Sequence, residues 1–291
     1  MDNEEIRQAV REGYAEVARQ NKSCCGGAPS KSPLKKAVVR NTRGCGCGSS
    51  TNLADNIAKQ VGYTEDDLTA VPDGANLGLG CGNPVALASL KPGEVVLDLG
   101  SGAGFDAFLA SPRVGPQGQV IGVDMTPAML DKARENKARG NYNNVEFRLG
   151  EIENLPVADN SVDVIISNCV INLSVDKPRV FAEAFRVLKP SGRLMVSDMV
   201  VKKELPDFMK KSIAAYIGCV SGASIKADYL KMIRTAGFKD VKIIDESFYP
   251  VEGLENDSVA GNLIEQNGLT VDQVKEIAAS VSSIKVSALK P

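Results

Sequence analysis

The 291-residue sequence contains no histidine and no tryptophan, and aromatic residues make up only 5% of it. The absence of histidine excludes a histidine general base, a catalytic triad that contains histidine, and any metal site with imidazole ligands. The low aromatic content disfavours an aromatic cage around an organic substrate. Whatever chemistry the chain performs must therefore use other side chains.

An excess of basic charge, long apolar runs and an export signal are also missing. The formal net charge is −2, so no basic excess indicates a nucleic-acid partner. No uninterrupted apolar run approaches the length that spans a membrane. The first residues, Met-Asp-Asn-Glu-Glu, lack the basic-then-apolar order of a signal peptide. We therefore expect a cytoplasmic protein with neither a nucleic-acid nor a membrane partner.

Seven cysteines are present, and without an export signal they predict chemistry rather than a structural disulfide framework. A stretch from about residue 22 to 52 is rich in Gly, Ser and Lys, a composition that argues against a packed core. It holds Cys24, Cys25, Cys45 and Cys47. Their Cys-Cys and Cys-x-Cys spacings are not the usual spacing of a zinc site. We predict a redox or metalloid-capturing segment there.

The most informative stretch is a glycine-rich turn that directly follows a short apolar strand. The strand at 95–99 contains Asp98, and the turn is Gly100-Ser101-Gly102-Ala103-Gly104. Glycines at alternate positions let the backbone approach a ligand, with amides exposed at the start of the next helix. The turn therefore predicts a nucleotide cofactor. It departs from the dinucleotide fingerprint, because Phe105 occupies the position that the third glycine would take.

Strands and helices alternate along the middle of the chain, which implies an α/β fold with a parallel sheet between helices. Strands are predicted at 95–99, 119–124, 145–149, 162–167 and 193–200, and helices at 104–111, 126–140 and 179–188. Thr126 is the predicted cap of the second of these helices. Helices are also predicted at 2–20, 52–62, 226–236 and 271–279, a helical region at 205–219, a strand at 241–248 and an alternating tail at 284–289.

Polar groups follow several of the predicted strands, at the edge of the sheet where ligands bind. Asp124 stands twenty positions after Gly104 and can accept both hydroxyls of a ribose. Asn168 ends the fourth strand, and its carboxamide or its backbone could meet the cofactor. Taken singly, Asp98 could be a turn residue, Asp124 a capping neighbour and Glu151 a solvated charge.

The pattern D-x-G-x-G-x-G that begins at Asp98 resembles the seven-strand methyltransferases that use S-adenosyl-L-methionine (SAM). The turn Leu188-Lys-Pro-Ser-Gly192 is similar to that family as well. The resemblance implies a Rossmann-like, mostly parallel sheet with an antiparallel last strand, and SAM as cofactor. It also implies an adenine-binding pair after the third strand, Glu151 and Ile152. The implied cofactor residues are Asp98, Gly100, Ser101, Gly102, Gly104, Asp124, Met125, Glu151, Ile152 and Asn168.

The remaining cysteines lie near the expected acceptor side of that sheet, and soft thiolates select thiophilic centres such as trivalent arsenic. Three segments resemble the arsenite methyltransferases: Asn168-Cys169-Val-Ile-Asn172-Leu173, Gly218-Cys219-Val-Ser-Gly222 and Gly80-Cys81-Gly82. The resemblance implies that Cys169, Cys219 and Cys81 hold As(III), whose lone pair attacks the SAM methyl group. It implies disulfide exchange at one N-terminal cysteine, a thiol partner such as glutathione or thioredoxin, and a role in arsenic detoxification.

Two further interpretations stay open. One is a SAM-dependent methyltransferase that acts on a small organic acceptor such as a quinone precursor, in which buried cysteines serve only as small hydrophobic residues. The other is a metalloid-binding sensor without catalysis. The predicted organisation is an N-terminal helix and Cys-rich segment at 1–60 and a catalytic domain at 61–291, in which residues 201–237 cap the acceptor side.

Overall fold

The structure is a computed structural model of the chain, and it describes residues 3–20, 51–206, 209, 221–248 and 270–291. Five of the predicted functional cysteines lie outside the described residues: Cys24, Cys25, Cys45, Cys47 and Cys219. Most of the helical region predicted at 205–219 also lies outside the described residues, which include only positions 205, 206 and 209 of it.

A mixed β-sheet forms the centre of the fold. Its strands are β1 Val95–Leu99, β2 Gln119–Asp124, β3 Val145–Leu149, β4 Val162–Asn168, β5 Leu188–Val201, β6 Ser224–Ile225, β7 Lys239–Phe248 and β8 Val281–Leu289. The order across the sheet is β3-β2-β1-β4-β5-β8-β7, and the short β6 pairs with β5. All pairs are parallel except those of β8, which runs antiparallel to both β5 and β7. The predicted fold class, a mostly parallel sheet with an antiparallel last strand, is confirmed.

Helices cover both faces of this sheet. They are α1 Asn3–Gln20, α2 Thr51–Gln60, α3 Glu65–Thr69, α4 Pro84–Leu87, α5 Phe105–Val114, α6 Pro127–Arg139, α7 Lys177–Val187, α8 Lys226–Thr235 and α9 Val271–Ser280, with a 3₁₀ turn at Ile171–Leu173. Of the helices that the structure describes, none has the length and apolar character needed to cross a membrane.

The core lies on both sides of the sheet because successive residues of a strand point to opposite faces. In β1, Val96 packs in a cluster with Phe108 of α5. Its neighbour Leu97 belongs to the opposite cluster, with Phe181 of α7 and Tyr229 of α8. Burial on both faces explains why these strands are almost continuously apolar.

Two local predictions differ from the structure. β5 begins at Leu188 rather than at 193, because the predicted turn is a bulge within the strand, with a register shift between Val162 and Val164 of β4 and a φ of 64° at Ser191. Thr126 precedes α6, but its hydroxyl makes no cap hydrogen bond. The Thr126 side chain bonds to Asp124 instead, and its amide donates to Asp124 Oδ1 at 2.8 Å.

Candidate functional site

A cleft opens at the carboxyl ends of β1, β2 and β4, where β1 is flanked by strands whose crossovers run in opposite directions. Its empty volume is about 1140 Å³, including the solvent at its mouth. Most of the predicted site residues line it: Asp98, Gly100, Ser101, Gly102, Asp124, Met125, Ile152, Asn168 and Cys169. Gly104, Glu151 and Cys81 are not part of its wall.

The glycine-rich turn between β1 and α5 is held against the end of β2. The amides of Gly100 and Ser101 donate to Val123 O at 2.8 and 3.0 Å. The amide of Gly102 donates to Asp124 Oδ2 at 2.9 Å. Gly104 faces the interior instead, where a Cβ would lie 2.7 Å from the Phe108 ring. The turn therefore presents its middle residues to the cleft, whereas Gly104 permits close packing beneath it.

Buried acids give the cleft its electrostatic character. Burial raises the pKa of Asp98 well above its usual value, and the nearby Asp106 and Asp124 carboxylates raise it further. Burial also raises the pKa of Asp106 to about 6, although hydrogen bonds from Tyr63 and Asn168 oppose that rise. The pKa of Asp124 is raised by burial and lowered by its bonds to Thr126 and Gly102. Such a lining favours a ligand that carries positive charge.

One acidic oxygen marks where such a ligand would bind. Asp98 is 2% exposed, and its Oδ2 has no hydrogen-bond partner within the described ranges. A buried carboxylate oxygen without a donor costs free energy unless a ligand supplies one. Asp98 therefore fits the cationic part of a cofactor.

No sequence motif marks Asp106 and Tyr63 as site residues, although both line the cleft. The Tyr63 hydroxyl donates to Asp106 Oδ1 at 2.6 Å, and its ring packs on Phe105 at a centroid distance of 4.7 Å. An acid in the first turn of a helix is ordinarily explained by the helix dipole. Tyr63 lies 43 positions before its partner, with no pattern to connect them.

The structure brings two of the predicted thiols together. Cys169 directly follows β4, is 7% exposed and donates its backbone amide to Ser197 O at 2.8 Å. Cys81 lies in the loop before α4, where its carbonyl accepts from Ser283 Oγ at 2.8 Å. Both side chains pack into one apolar cluster with Met199 and Val10. The prediction that these cysteines share one site is thus compatible with their placement, and their role stays a prediction.

Cys169 adopts a left-handed backbone conformation, with a φ of 58°. This region costs a non-glycine residue about 1 to 2 kcal/mol. Residues in such conformations cluster at functional sites, where the surrounding structure maintains them. A functional role for Cys169 is compatible with this conformation and stays a prediction.

The predicted adenine pair divides between the cleft and the surface. Ile152 is 8% exposed and lines the cleft. Glu151 lies outside it, 3.4 Å from the Arg11 guanidinium of α1. The acid that lines the cleft in this loop is Glu153, which accepts a hydrogen bond from Ser174 Oγ at 2.6 Å. A contact between Glu151 and adenine stays a prediction.

Helix α1 contributes Arg7, Val10 and Tyr14 to the wall of the cleft. It packs against α6 through Ala18 and Met129. The N-terminal helix, which the sequence assigns to a separate unit at 1–60, therefore completes the same site.

The chain matches a known protein family. The family model described as "Methyltransferase domain" matches residues 90–237, just over half of the chain. The chain belongs to this methyltransferase-domain family.

Arsenite methyltransferases are among the relatives of this chain. The arsenite methyltransferase of Halobacterium salinarum is 51% identical over 84% of this chain and 61% of its own length. The arsenite methyltransferase of Mus musculus is 34% identical over 73% of this chain and 59% of its own. The chain thus spans about three fifths of these curated relatives.

A solved structure shows the same likeness. The crystal structure of an arsenic(III) S-adenosylmethionine methyltransferase from Chlamydomonas reinhardtii superposes with a TM-score of 0.60 and 33% identity. The match covers 79% of this chain and 72% of that one. The resemblance that the cysteine motifs indicated is confirmed.

Proposed function

We propose that this methyltransferase transfers a methyl group from SAM to trivalent arsenic that is held by cysteine thiolates. The observation that carries the proposal is the position of Cys169. Cys169 lines the cleft beside the predicted cofactor residues, and its backbone there is left-handed. The relatives named above are arsenite methyltransferases, which supports the same acceptor.

The residues of the cleft fit SAM, which supplies a methyl carbon activated by a positively charged sulfur. Asp98 provides an acceptor oxygen for a cationic donor. Asp124 already accepts two backbone amides and the Thr126 hydroxyl, but a carboxylate has about four lone-pair sites, so it can also accept a ribose hydroxyl. Ile152 and Met125 supply apolar walls for a base.

Arsenic bound by thiolates needs no general base, which agrees with the absence of histidine. Each As–S bond forms as a thiol proton leaves with an arsenite oxygen as water. The arsenic lone pair then forms the As–C bond, and the electron pair of the broken C–S bond stays on sulfur. Cys81 and Cys169 are the described ligands of this proposal, and Cys219 is its third.

The proposal extends to the partners and the setting of the reaction. Methyl transfer leaves arsenic in the pentavalent state, so a further cycle requires two electrons from a pair of thiols, supplied by glutathione or thioredoxin, which are oxidised to a disulfide. One of the N-terminal cysteines would exchange disulfides in that step. A cytoplasmic location suits this chemistry because cytoplasmic thiols are kept reduced, and arsenic detoxification is the corresponding role.

The test is a single assay in which the purified chain is incubated with SAM, arsenite and excess glutathione. Arsenic species are separated by chromatography and counted by elemental detection. Mono- and dimethylated arsenic are expected, and none in reactions that lack SAM. If SAM binds but no methylated arsenic forms, the proposal is wrong and an organic acceptor becomes the better candidate.

SAM affinity is expected to fall as the pH decreases through about 6, the pKa of Asp106. Above this pH the ionised carboxylate attracts a cation, and below it the neutral acid does not. The raised pKa values of Asp98 and Asp124 act in the same direction. Calorimetric titration of SAM between about pH 8 and about pH 5 measures the profile.

Asp106→Asn should weaken SAM binding at the upper end of this range and flatten its pH dependence. The matched control is Asp131→Asn, because Asp131 is 72% exposed on α6. Superimposable pH profiles for Asp106→Asn and the unmodified protein would rule out this role for Asp106.

A further inference from the structure

The Asn168 side chain joins the cofactor cleft to the loop that carries Cys81. Its Oδ1 accepts from the amides of Cys81 at 2.9 Å and Gly82 at 3.2 Å. Its Nδ2 donates to Tyr63 Oη at 2.8 Å, Gly82 O at 2.8 Å and Asp106 Oδ2 at 3.0 Å. A carboxamide has one acceptor oxygen and two N–H donors, so protein groups use its full capacity. Of the two predicted cofactor contacts of Asn168, only the backbone contact remains available.

The loop around Cys81 lies so close to β4 and β5 that its neighbours must be glycine. A Cβ on Gly80 would lie 2.5 Å from Asn168 Nδ2, and a Cβ on Gly82 would overlap Ser197 Oγ. Both are closer than real Cβ contacts. Close packing on two sides, together with the hydrogen bonds, therefore fixes the backbone of Cys81.

Cys169 is held by the same two residues. It follows Asn168 directly in the chain, and its amide donates to Ser197 O at 2.8 Å. Asn168 and Ser197 are partners in the pairing of β4 with β5. A single pair of neighbouring strand residues therefore forms the support for the backbones of both cysteines.

We propose that Asn168 is a positioning residue that fixes Cys81 and Cys169 relative to each other before the metalloid binds. This inference rests on the proposed function. Ligands that are held in place beforehand do not pay the ordering cost when the centre binds. Outer partners of this kind raise the affinity of a metal site about 10- to 100-fold. A comparable contribution is expected from the Asn168 carboxamide.

The test compares arsenite affinity and SAM affinity in Asn168→Ala, at about pH 8 so that Asp106 remains ionised. Arsenite binding is followed by the ultraviolet absorption of As–S bonds in the reduced full-length chain, and SAM binding by calorimetry. The arsenite Kd should rise about 10- to 100-fold, whereas the SAM Kd should rise by a smaller factor because the backbone of Asn168 is unchanged.

Asn144→Ala provides the matched control. Asn144 also uses its whole carboxamide, with bonds to Ser111 and Gly115, but it lies outside the cleft. Its loss should lower the melting temperature and leave the arsenite Kd unchanged. Gly80→Ala is a second variant, because it displaces the loop and keeps Asn168; it should weaken arsenite binding even if Asn168→Ala fails to fold.

The outcomes distinguish the positioning role of Asn168 from the proposed function. Wild-type arsenite affinity in both Asn168→Ala and Gly80→Ala overturns the positioning role and leaves the proposed function intact. A parallel loss of SAM and arsenite affinity in both variants also overturns it, because it indicates a general structural role. If the unmodified chain binds no arsenite, the proposed function fails and the role of Asn168 falls with it.

Discussion

Cys169→Ser is expected to reduce arsenite methylation to background while SAM binding persists. The hydroxyl has nearly the same size as the thiol, but it is a hard, protonated ligand that does not hold trivalent arsenic. The loss should exceed the roughly 10- to 100-fold that removal of an outer partner costs a metal site. Initial rates of methylated-arsenic formation and calorimetric SAM titration measure the two effects.

Cys169→Gly separates the effect of losing the thiol from the effect of the left-handed backbone conformation. Glycine adopts a φ of 58° without the cost of about 1 to 2 kcal/mol that a side chain pays there. The glycine variant should therefore melt at or above the temperature of the serine variant, although it is equally inactive. Wild-type methylation by the serine variant would show that Cys169 is not an arsenic ligand, and the same logic applies to Cys219→Ser.

Gly100→Ala is expected to lower the free energy of unfolding by about 2 to 5 kcal/mol. A left-handed alanine costs about 1 to 2 kcal/mol, and overpacking typically adds about 1 to 3 kcal/mol. The added Cβ would lie 2.7 Å from Val170 Cβ and overlap a Val170 methyl group. Because Val170 follows Cys169, the displacement also reaches the proposed arsenic site. Urea denaturation without cofactor measures the loss.

Gly102→Ala is the matched control for this prediction. Gly102 also has a positive φ, 51°, but a Cβ there would meet nothing within 4 Å. Gly102→Ala should lower the free energy of unfolding only by the cost of a left-handed alanine, about 1 to 2 kcal/mol. Since Gly102 lines the cleft, its variant should lose SAM affinity instead. Equal destabilisation by both alanines would show that contact with Val170 does not matter.

The central strands could be predicted because their signal is local. β1, β2 and β4 are short, mainly apolar runs and β3 alternates between buried and exposed residues, and the structure gives nearly the same limits. The start of β5 was missed because a bulge around Ser191 continues the pairing through a Pro-Ser-Gly turn. Its cause is the alignment with β4, which sequence periodicity does not encode.

The site was predictable only where a motif spans a few residues. Asp98 and the glycine turn form one such motif and Asp124 ends the next strand, and the structure places Asp98, Gly102 and Asp124 in one cleft. The bonds of Tyr63 and of the Asn168 carboxamide join residues 43 to 105 positions apart. Likewise, the position of Glu151 depends on Arg11 of α1, 140 positions away. Such contacts follow from the completed fold and leave no spacing rule in the chain.

The position of β8 between β5 and β7 has a consequence for biosynthesis. Ser283 of β8 supplies the donor for the carbonyl of Cys81, and 202 positions separate the two residues. At typical elongation rates of 5 to 20 residues per second, about 10 to 40 seconds pass between their emergence during translation. Through that interval a nascent chain carries the thiol of Cys81, joined later by that of Cys169, without the strand that anchors the Cys81 loop. The two proposed arsenic ligands Cys81 and Cys169 are thus synthesised before the strand that anchors the Cys81 loop.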